Sequence, residues 1–399
     1  MKVTMPEVGT DTGGARFGAT LIGRAVGHDT RGSRVSRVLR ARPWDHGRVE
    51  PSAYRIRRLA WSVVVGAGAW LAGPGTLAAH GIAPDVAPDV TNLLIGWELE
   101  PLVALGLLVA AIGWWLLVQS IDRRHPEHHV PRRQRWSFLA GLAVIAVALQ
   151  SGLARYDTTL FSLHMVQHLL LTLIAPPLLA YGAPITQLLR AASPATRQRF
   201  LLPVLHSRPV AVIGHPVVAW LVFAAVMWGT HFSTVFNESL ENPVLHDLEH
   251  LLFLASGLLF WWPLVAVDPA PRRMSYPARI AYVFLQLPQG SFLAMAILFA
   301  ESPLYEHYAT LGAPYGIDAL ADQRLAAGIM WFVGDVIFLL ATLAVVAGWM
   351  RSESLSSAAV DRRTDLERAA IREREVAFRA RRSAMGPDQP DPGAARSER

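Results

Sequence analysis

Two pairs of histidines are the residues of this sequence whose type and spacing could do chemistry. His164 and His168 stand four residues apart in Phe-Ser-Leu-His-Met-Val-Gln-His, and His246 and His250 stand four apart in His-Asp-Leu-Glu-His. Residues at this spacing project from one face of an α-helix. Two imidazoles on one face can hold one metal ion. The pairs therefore indicate a metal site.

The elements that must position these pairs are long apolar segments. Hydrophobic residues make up 52% of the 399-residue chain and charged residues only 17%, against about 25% in a typical soluble protein. Eight apolar runs are long enough to cross a bilayer, and they lack the period-two alternation of strands. The sequence predicts an all-α polytopic membrane helix bundle of about eight transmembrane helices. These runs are 59–79, 93–119, 136–153, 161–181, 209–230, 245–266, 279–299 and 325–350.

Arginines in the connecting loops predict how this bundle is oriented. Loops 120–135, 182–208 and 267–279 carry twelve arginines, whereas the alternate loops carry only Arg155. Cytoplasmic loops of membrane proteins are rich in Lys and Arg. We therefore expect a multi-pass protein of the cell membrane with both termini in the cytoplasm. The net charge of +6 is then explained by the basic cytoplasmic loops of a protein embedded in the lipid bilayer. It does not require a nucleic-acid partner.

This orientation brings five histidines to one depth at the outer ends of the helices. The fourth and sixth segments begin outside with the two pairs, and the fifth ends outside at His231. A single interfacial histidine is more often a packing or hydrogen-bonding residue, but five at one depth favour a metal or haem site. The chain has no cysteine, which excludes thiolate ligands and iron–sulfur clusters.

Further polar and sulfur-containing residues lie at the same outer level. Glu100 lies near the start of the second segment and Asp322 precedes the eighth, and both are candidates to support the metal ligands. Carboxylates at helix starts are also favoured by the helix dipole alone. Met165 and Met330 could supply soft thioether ligands if they lie near the site, although methionine is more often a packing residue.

The remaining segments divide the chain into four regions. Residues 1–58 are a basic arm that we expect to be largely disordered in the cytoplasm, and 59–92 form an extra first span and outer loop. The seven spans of 93–350 form the core. Residues 351–399 form a cytoplasmic charged tail, helical from about 358 to 382 because oppositely charged residues recur at helical spacing.

Several motifs of the core together resemble the multi-span CtaG-type cytochrome c oxidase assembly factors of bacteria. The resemblance covers about 93–350, and the histidine motifs carry most of its specificity. One departure is Glu100-Pro101, where the family tends to have Asp-Pro; another is Asp335, an unexpected acid deep in the last span. The matching stretches are Ser162-Leu-His-Met-Val-Gln-His-Leu-Leu-Leu, Ala175-Pro-Pro-Leu-Leu, Gly182-Ala-Pro184, His215-Pro-Val-Val-Ala-Trp220, Trp228 to His231, His246-Asp-Leu-Glu-His250, Leu259-Phe-Trp-Trp-Pro-Leu264, Pro303-Leu-Tyr-Glu-His-Tyr308, Asp322-Gln323 and Gly328-Ile-Met-Trp331.

The resemblance implies a non-enzymatic role in producing an active haem–copper oxidase in the bacterial cell membrane. Its partners would be cytochrome c oxidase subunits, and its cargo would be copper held by His164, His168, His231, His246 and His250. A single-span copper chaperone that shares the CtaG name uses cysteine ligands, so this cysteine-free chain cannot use that chemistry.

Two other functions fit the same histidines. Histidines on facing helices could ligate haem iron in a membrane electron carrier. A metal transporter would instead need a site near the middle of the membrane with access to both sides. Among the polar residues of the spans that could form such a site, only Asp335 and His215 lie away from the outer cluster. Transport is therefore the weaker of the two alternatives.

Overall fold

The computed structural model describes residues 84–270 and 272–384. The predicted arm 1–58 and first span 59–79 lie outside the described residues, as does the end of the tail from 385 onward. Within the described ranges every regular element is helical. These elements are α1 (Val90–Ile95), α2 (Pro101–Arg124), α3 (Arg132–Gln150), α4 (Gly152–Tyr156), α5 (Phe161–Leu169), a π turn (Leu170–Ile174), α6 (Ala175–Tyr181), α7 (Pro184–Ala191), α8 (Pro194–Thr196), a second π turn (Arg197–Leu201), α9 (Leu202–Leu205), α10 (Arg208–Ile213), α11 (Pro216–His231), α12 (Val235–Glu241), α13 (Pro243–Val265), α14 (Tyr276–Phe284), α15 (Gln286–Leu298), α16 (Glu306–Thr310), a 3₁₀ turn (Pro314–Gly316) and α17 (Ala319–Ala384).

Six stretches of helix in the described ranges are long and apolar enough to cross a membrane, and α11 with α12 makes a seventh if that bent pair is one span. Each of the seven segments predicted between 93 and 350 corresponds to one of them. The prediction of an all-α polytopic membrane bundle is therefore confirmed, and the protein is a multi-pass membrane protein. The region boundaries at 58, 92 and 350 stay predictions.

The second predicted segment contains two helices rather than one. The short α1 ends at Ile95, and the crossing helix α2 starts at Pro101 rather than near residue 93. Glu100 has extended backbone angles, φ −72° and ψ 109°, as expected for a residue that precedes proline. Proline is well suited to the first helical position because its missing N–H would have no helical partner there.

A π turn accommodates the Ala175-Pro176-Pro177 motif. The backbone widens over Leu170–Ile174 and then continues as α6 to Tyr181. Pro176 has no N–H to donate to the carbonyl of Thr172, and the indole Nε1 of Trp261 on α13 donates to that oxygen at 3.0 Å. The proline is thus tolerated because a neighbouring helix satisfies the carbonyl it leaves open.

A glycine allows α13 to approach this π turn closely. A Cβ atom at Gly257 would lie 2.8 Å from the carbonyl oxygen of Thr172 and 2.9 Å from Cγ of Pro176. Both distances are shorter than van der Waals contact, so a larger residue would not fit without a shift. Close approach at small residues is the usual basis of helix association in membranes. This contact fixes the spacing of the two helices that carry the histidine pairs.

The predicted fifth span is broken at both ends. His215 precedes Pro216 at the start of α11, where its Nδ1 accepts from the N–H of Val217 at 3.3 Å. At the other end the chain turns by 68° between α11 and α12. The bend places Phe236 of α12, which is fully buried, against the histidines described below.

Candidate functional site

Four of the five predicted histidines form a continuous cluster where α5 meets α13. The ring centroids of His164 and His168 are 4.1 Å apart, and those of His246 and His250 are 4.2 Å apart. Across the two helices, His164 lies 5.5 Å from His246, and His168 lies 5.9 Å from His250. The two pairs therefore face each other, as the helical spacing and the predicted orientation require.

All four imidazoles are buried, with 7% exposure or less. Phe236 covers His164 at 5.1 Å between ring centroids, and Phe253 lies 3.9 Å from His168. Neither ring nitrogen of His164 or His168 has a hydrogen-bond partner among the described residues. Buried polar atoms normally have partners, so these four nitrogens mark a place where a ligand would supply the missing interactions.

A first group of ligand atoms combines one carboxylate with the second pair. Atoms of Asp157, His246 and His250 lie within 4.8 Å of one another. Nε2 of His246 is 3.8 Å from Oδ2 of Asp157, which is beyond a good hydrogen bond. Two imidazoles and a carboxylate at this separation could converge on one ion.

Gln167 fixes the orientation of His250 in this group. The side-chain amide nitrogen of Gln167 donates to the carbonyl of Ala148 at 3.0 Å, so its Oε1 faces Nε2 of His250 at 3.1 Å. Because an amide oxygen only accepts, His250 donates from Nε2, and its Nδ1 carries the lone pair. Such a contact sets the tautomer of a metal-binding histidine.

A second group joins the first pair to a glutamate of α13. Atoms of His164, His168 and Glu249 lie within 4.8 Å of one another. Ser239 of α12 donates to Oε2 of Glu249 at 2.6 Å, and Oε1 is buried with no hydrogen-bond partner in the described structure. The serine holds one carboxylate oxygen and leaves the other beside the imidazoles.

His231 lies near the cluster but belongs to neither group. Its Nδ1 is 2.6 Å from the carbonyl oxygen of Met227. This nitrogen must be the donor, so Nε2 carries the lone pair. Nε2 is buried, and within the described ranges it has no hydrogen-bond partner. His231 and His168 both line a cavity beside the cluster.

The four supporting residues predicted from the sequence have different positions. Glu100 lines the same cavity as Asp157, His246 and His250. Oδ2 of Asp322 accepts from the N–H of Ser162 at 3.2 Å, so this carboxylate holds the start of α5 and is in neither ligand group. Met165 and Met330 line the cavity beside His168 and His231.

Three residues of the cluster were not predicted from the sequence. Asp157 lies in the turn before α5, Glu249 lies between the second pair, and Gln167 precedes His168. Glu249 and Gln167 lie within the histidine motifs, and this position is the sequence feature that could have indicated their place in the site. Burial raises the pKa of Asp157 from 3.8 to about 8, so its carboxyl group is largely protonated at neutral pH when no cation is bound.

In the part of the chain that the structure describes, histidines outside the cluster have structural partners or are exposed. Nε2 of His307 lies 2.8 Å from the carbonyl oxygen of Thr158 and ties α16 to the turn before α5. His125, His128 and His129 are exposed in the loop after α2, as their arginine-rich surroundings predict.

A family model covers the part of the chain that forms this site. The model of the cytochrome c oxidase caa3 assembly factor family matches residues 112–352, more than half of the chain. The chain belongs to this family. The match spans both histidine pairs, His231 and both carboxylates of the ligand groups, and it confirms the resemblance drawn from the motifs.

Curated relatives of this family member occur in mycobacteria. An uncharacterized protein of Mycobacterium bovis and one of Mycobacterium tuberculosis are each 29% identical over 289 residues, which is 71% of this chain and 43% of the relative. An uncharacterized protein of Mycobacterium leprae is 27% identical over 286 residues. The chain thus spans less than half the length of these relatives. No solved structure matches the chain significantly.

Proposed function

We propose that this chain takes part in cytochrome c oxidase assembly as a non-enzymatic factor that holds a copper ion at its outer histidine cluster and releases it to oxidase subunits. Family membership supports the assembly role. Holding and releasing an ion makes and breaks no covalent bond in a substrate, so the proposal needs no catalytic residue.

One observation carries the metal part of the proposal. Five buried ligand atoms, the four ring nitrogens of His164 and His168 and Oε1 of Glu249, have no hydrogen-bond partner among the described residues. Leaving a buried polar atom unsatisfied costs about 1–3 kcal/mol. A cation between these atoms would satisfy one nitrogen of each imidazole and the carboxylate together.

The donor set suits copper and a site that exchanges its ion. Imidazole and carboxylate ligands bind divalent copper most tightly among the first-row divalent ions. The first ligand group lines a cavity of about 330 Å³ that Glu100 also lines. The predicted orientation opens this cavity outside the cytoplasm, where copper domains of oxidase subunits could receive the ion.

A haem-binding function is less consistent with this packing. An axial histidine needs a planar macrocycle against its nitrogen, but aromatic rings occupy the space beside the first pair, Phe236 at 5.1 Å from His164 and Phe253 at 3.9 Å from His168. Such contacts leave room for an ion between the pairs, not for a porphyrin.

Metal analysis of the purified protein and oxidase assembly in cells test the proposal together. We expect copper to co-purify or to bind on reconstitution, and His164→Ala and His250→Ala to lose it while the protein still reaches the membrane. Cells that carry these variants should contain less active oxidase. The cytoplasmic variants His128→Ala and His129→Ala are matched controls.

Three outcomes would contradict the proposal in different ways. A sharp Soret band in the purified protein would indicate haem. Copper uptake by sealed vesicles that contain the protein would indicate transport. A normal amount of active oxidase with both His164→Ala and His250→Ala would separate the cluster from assembly.

A further inference from the structure

A second cavity, of about 60 Å³, lies next to the cluster. It differs from the outer cavity in the chemistry of its walls. Among its lining residues are His168, His231, Asp335 and three methionines, Met165, Met227 and Met330. A single water needs about 10–15 Å³ of such volume, so the cavity has room for an ion and is too small for a porphyrin.

The three methionines reach the cavity from three different helices. Met165 lies on α5, Met227 on α11 and Met330 on α17. Three helices that are distant in sequence therefore each contribute a methionine to the lining of one small space. Thioether is a soft ligand that selects monovalent copper over harder divalent ions.

The two histidines of the cavity add nitrogen ligands that are already desolvated. Nε2 of His231 and both ring nitrogens of His168 are buried and lack hydrogen-bond partners in the described residues. The exposure of these residues is 3% and 4%. The Nδ1–H of His231 is held by the carbonyl of Met227 at 2.6 Å, which keeps its Nε2 lone pair available.

Asp335 brings a carboxyl group to the lining of the cavity. Its carboxylate oxygens lie 3.2 Å and 3.3 Å from the hydroxyl of Ser291 on α15. Asp335 is thirteen residues after Asp322, or about 20 Å further along α17. A charged residue at such depth is expensive unless it has a partner. One carboxylate balances one monovalent cation in an apolar surrounding.

We propose that this methionine-lined cavity is a second metal site, one that binds copper(I). Met165, Met227 and Met330 supply thioether ligands, His168 and His231 supply imidazole, and Asp335 balances the charge. This site rests on the proposed copper function and extends it. The outer ligand groups contain carboxylates and suit a divalent ion, whereas this cavity suits the reduced ion.

His168 connects the two kinds of site. It belongs to the ligand group of His164 and Glu249 and also lines the methionine cavity. Both of its nitrogens are unpartnered within the described structure. One imidazole at the boundary can serve an ion on either side, so the two sites need not be independent of each other.

The test is copper(I) binding to the full chain in detergent without oxygen. A chromophoric copper(I) chelator would compete with the protein for the ion, and X-ray absorption at the copper edge would report sulfur neighbours. We expect sulfur scattering in the wild-type protein. The combined variant Met165→Leu, Met227→Leu and Met330→Leu should abolish the sulfur signal and weaken copper(I) binding about tenfold or more.

A matched control comes from three methionines outside the cavity. Met274, Met295 and Met350 are in the described structure but do not line the cavity. Replacing all three with Leu should leave the sulfur signal and the affinity unchanged. Leu and Met have similar volumes, and such exchanges usually cost less than about 1.5 kcal/mol. Asp335→Asn should weaken copper(I) binding and keep the sulfur signal.

The outcomes separate this site from the outer one. Copper(I) surrounded only by nitrogen and oxygen in the wild-type protein would overturn the proposal, as would equal losses in the two methionine variants. The double variant His164→Ala with His250→Ala removes one ligand from each outer group. If the cavity binds copper by itself, the sulfur signal persists in this variant, and if only the outer site exists, the copper is lost.

Discussion

Histidines occur at both ends of this molecule, in opposite surroundings. Those of the loop after α2 are exposed, and Nδ1 of His129 lies 3.3 Å from the carboxylate of Asp122. Those of the outer cluster are buried, and four of their ring nitrogens have no hydrogen-bond partner among the described residues. The same side chain is thus a solvated surface group at one end and a desolvated ligand candidate at the other.

This difference shows that spacing alone does not make a site. His125 and His129 are also four residues apart, like the two outer pairs. What the outer pairs add is a second helix opposite them, two buried carboxylates, and aromatic rings that exclude water.

Removing one imidazole should have the largest effect. Loss of a residue that hydrogen-bonds to a metal ligand typically lowers affinity about 10–100-fold. His164→Ala or His250→Ala removes a ligand itself and should lower copper affinity at least as much. Copper content of the purified protein and oxidase activity in cells would measure it. His128→Ala and His129→Ala should change neither. If the cluster variants and the exposed-loop variants lost copper equally, the cause would be general instability, and the two groups of histidines would not differ in function.

Neutralising one carboxylate should come next. Glu249→Gln keeps the shape and the contact with Ser239 but removes the charge beside His164 and His168, so we expect affinity for divalent copper to fall about tenfold. The exposed Glu238 on α12 provides the matched control Glu238→Gln. Isothermal titration with copper(II) would compare them. Wild-type affinity in Glu249→Gln would remove this carboxylate from the site.

Changing the residue that orients His250 should have a smaller effect. Gln167→Leu removes the acceptor for His250 Nε2–H, so the imidazole can adopt the other tautomer, and we expect weaker copper binding by up to about tenfold. Gln167→Glu retains an acceptor and should weaken binding less than Leu does. An identical affinity in both variants would show that tautomer control is not the reason for the contact.

The buried Asp157 should give the metal-free protein a pH-dependent stability. Its pKa is raised by burial to about 8, so between about pH 4 and 8 the folded state keeps a proton that the unfolded chain has released. Stability must then fall as pH rises through this window, by up to about 1.4 kcal/mol per pH unit.

Thermal unfolding of the metal-free protein at pH 6, 7 and 8 would measure this slope. In Asp157→Asn the side chain cannot ionise, so the slope due to this group should disappear. If wild type and Asp157→Asn show the same decline with pH, other groups cause it and Asp157 is not buried as a neutral acid.

Removing the charged tail should have the smallest effect. Beyond the membrane α17 continues to Ala384 with exposed charged residues such as Arg363 and Glu367, which pair at 3.1 Å. Truncation from about Ser356 should leave copper binding unchanged, because the predicted topology places the tail on the opposite side from the cluster. A stable truncated protein without copper-binding capacity would contradict that separation.

The bundle and the four histidines of the cluster could be predicted from the sequence, for different physical reasons. Hydrophobic length identifies a span wherever the chain must satisfy its backbone in lipid, and helical spacing puts His164 and His168 on one face. The start of α2 at Pro101 was missed because a hydropathy window averages over the break.

The rest of the site depends on contacts that no local pattern encodes. Asp157 meets His246 only because the turn before α5 packs on α13, and Phe236 reaches His164 only because of the bend after α11. Glu249 was visible in the motif, but its role depends on Ser239, which lies ten residues earlier on another helix. Asp322 is the opposite case. It was predicted to support the metal ligands, but its carboxylate accepts from the backbone N–H of Ser162 instead.

The most direct test of the central claim is an anomalous difference map, at the copper edge, of the copper-loaded protein. We predict peaks between α5 and α13, within bonding distance of nitrogens from His164, His168, His246 or His250, and no peak near His125, His128 or His129. Peaks confined to the exposed loop after α2, or no ordered copper at all under saturating conditions, would contradict the proposal.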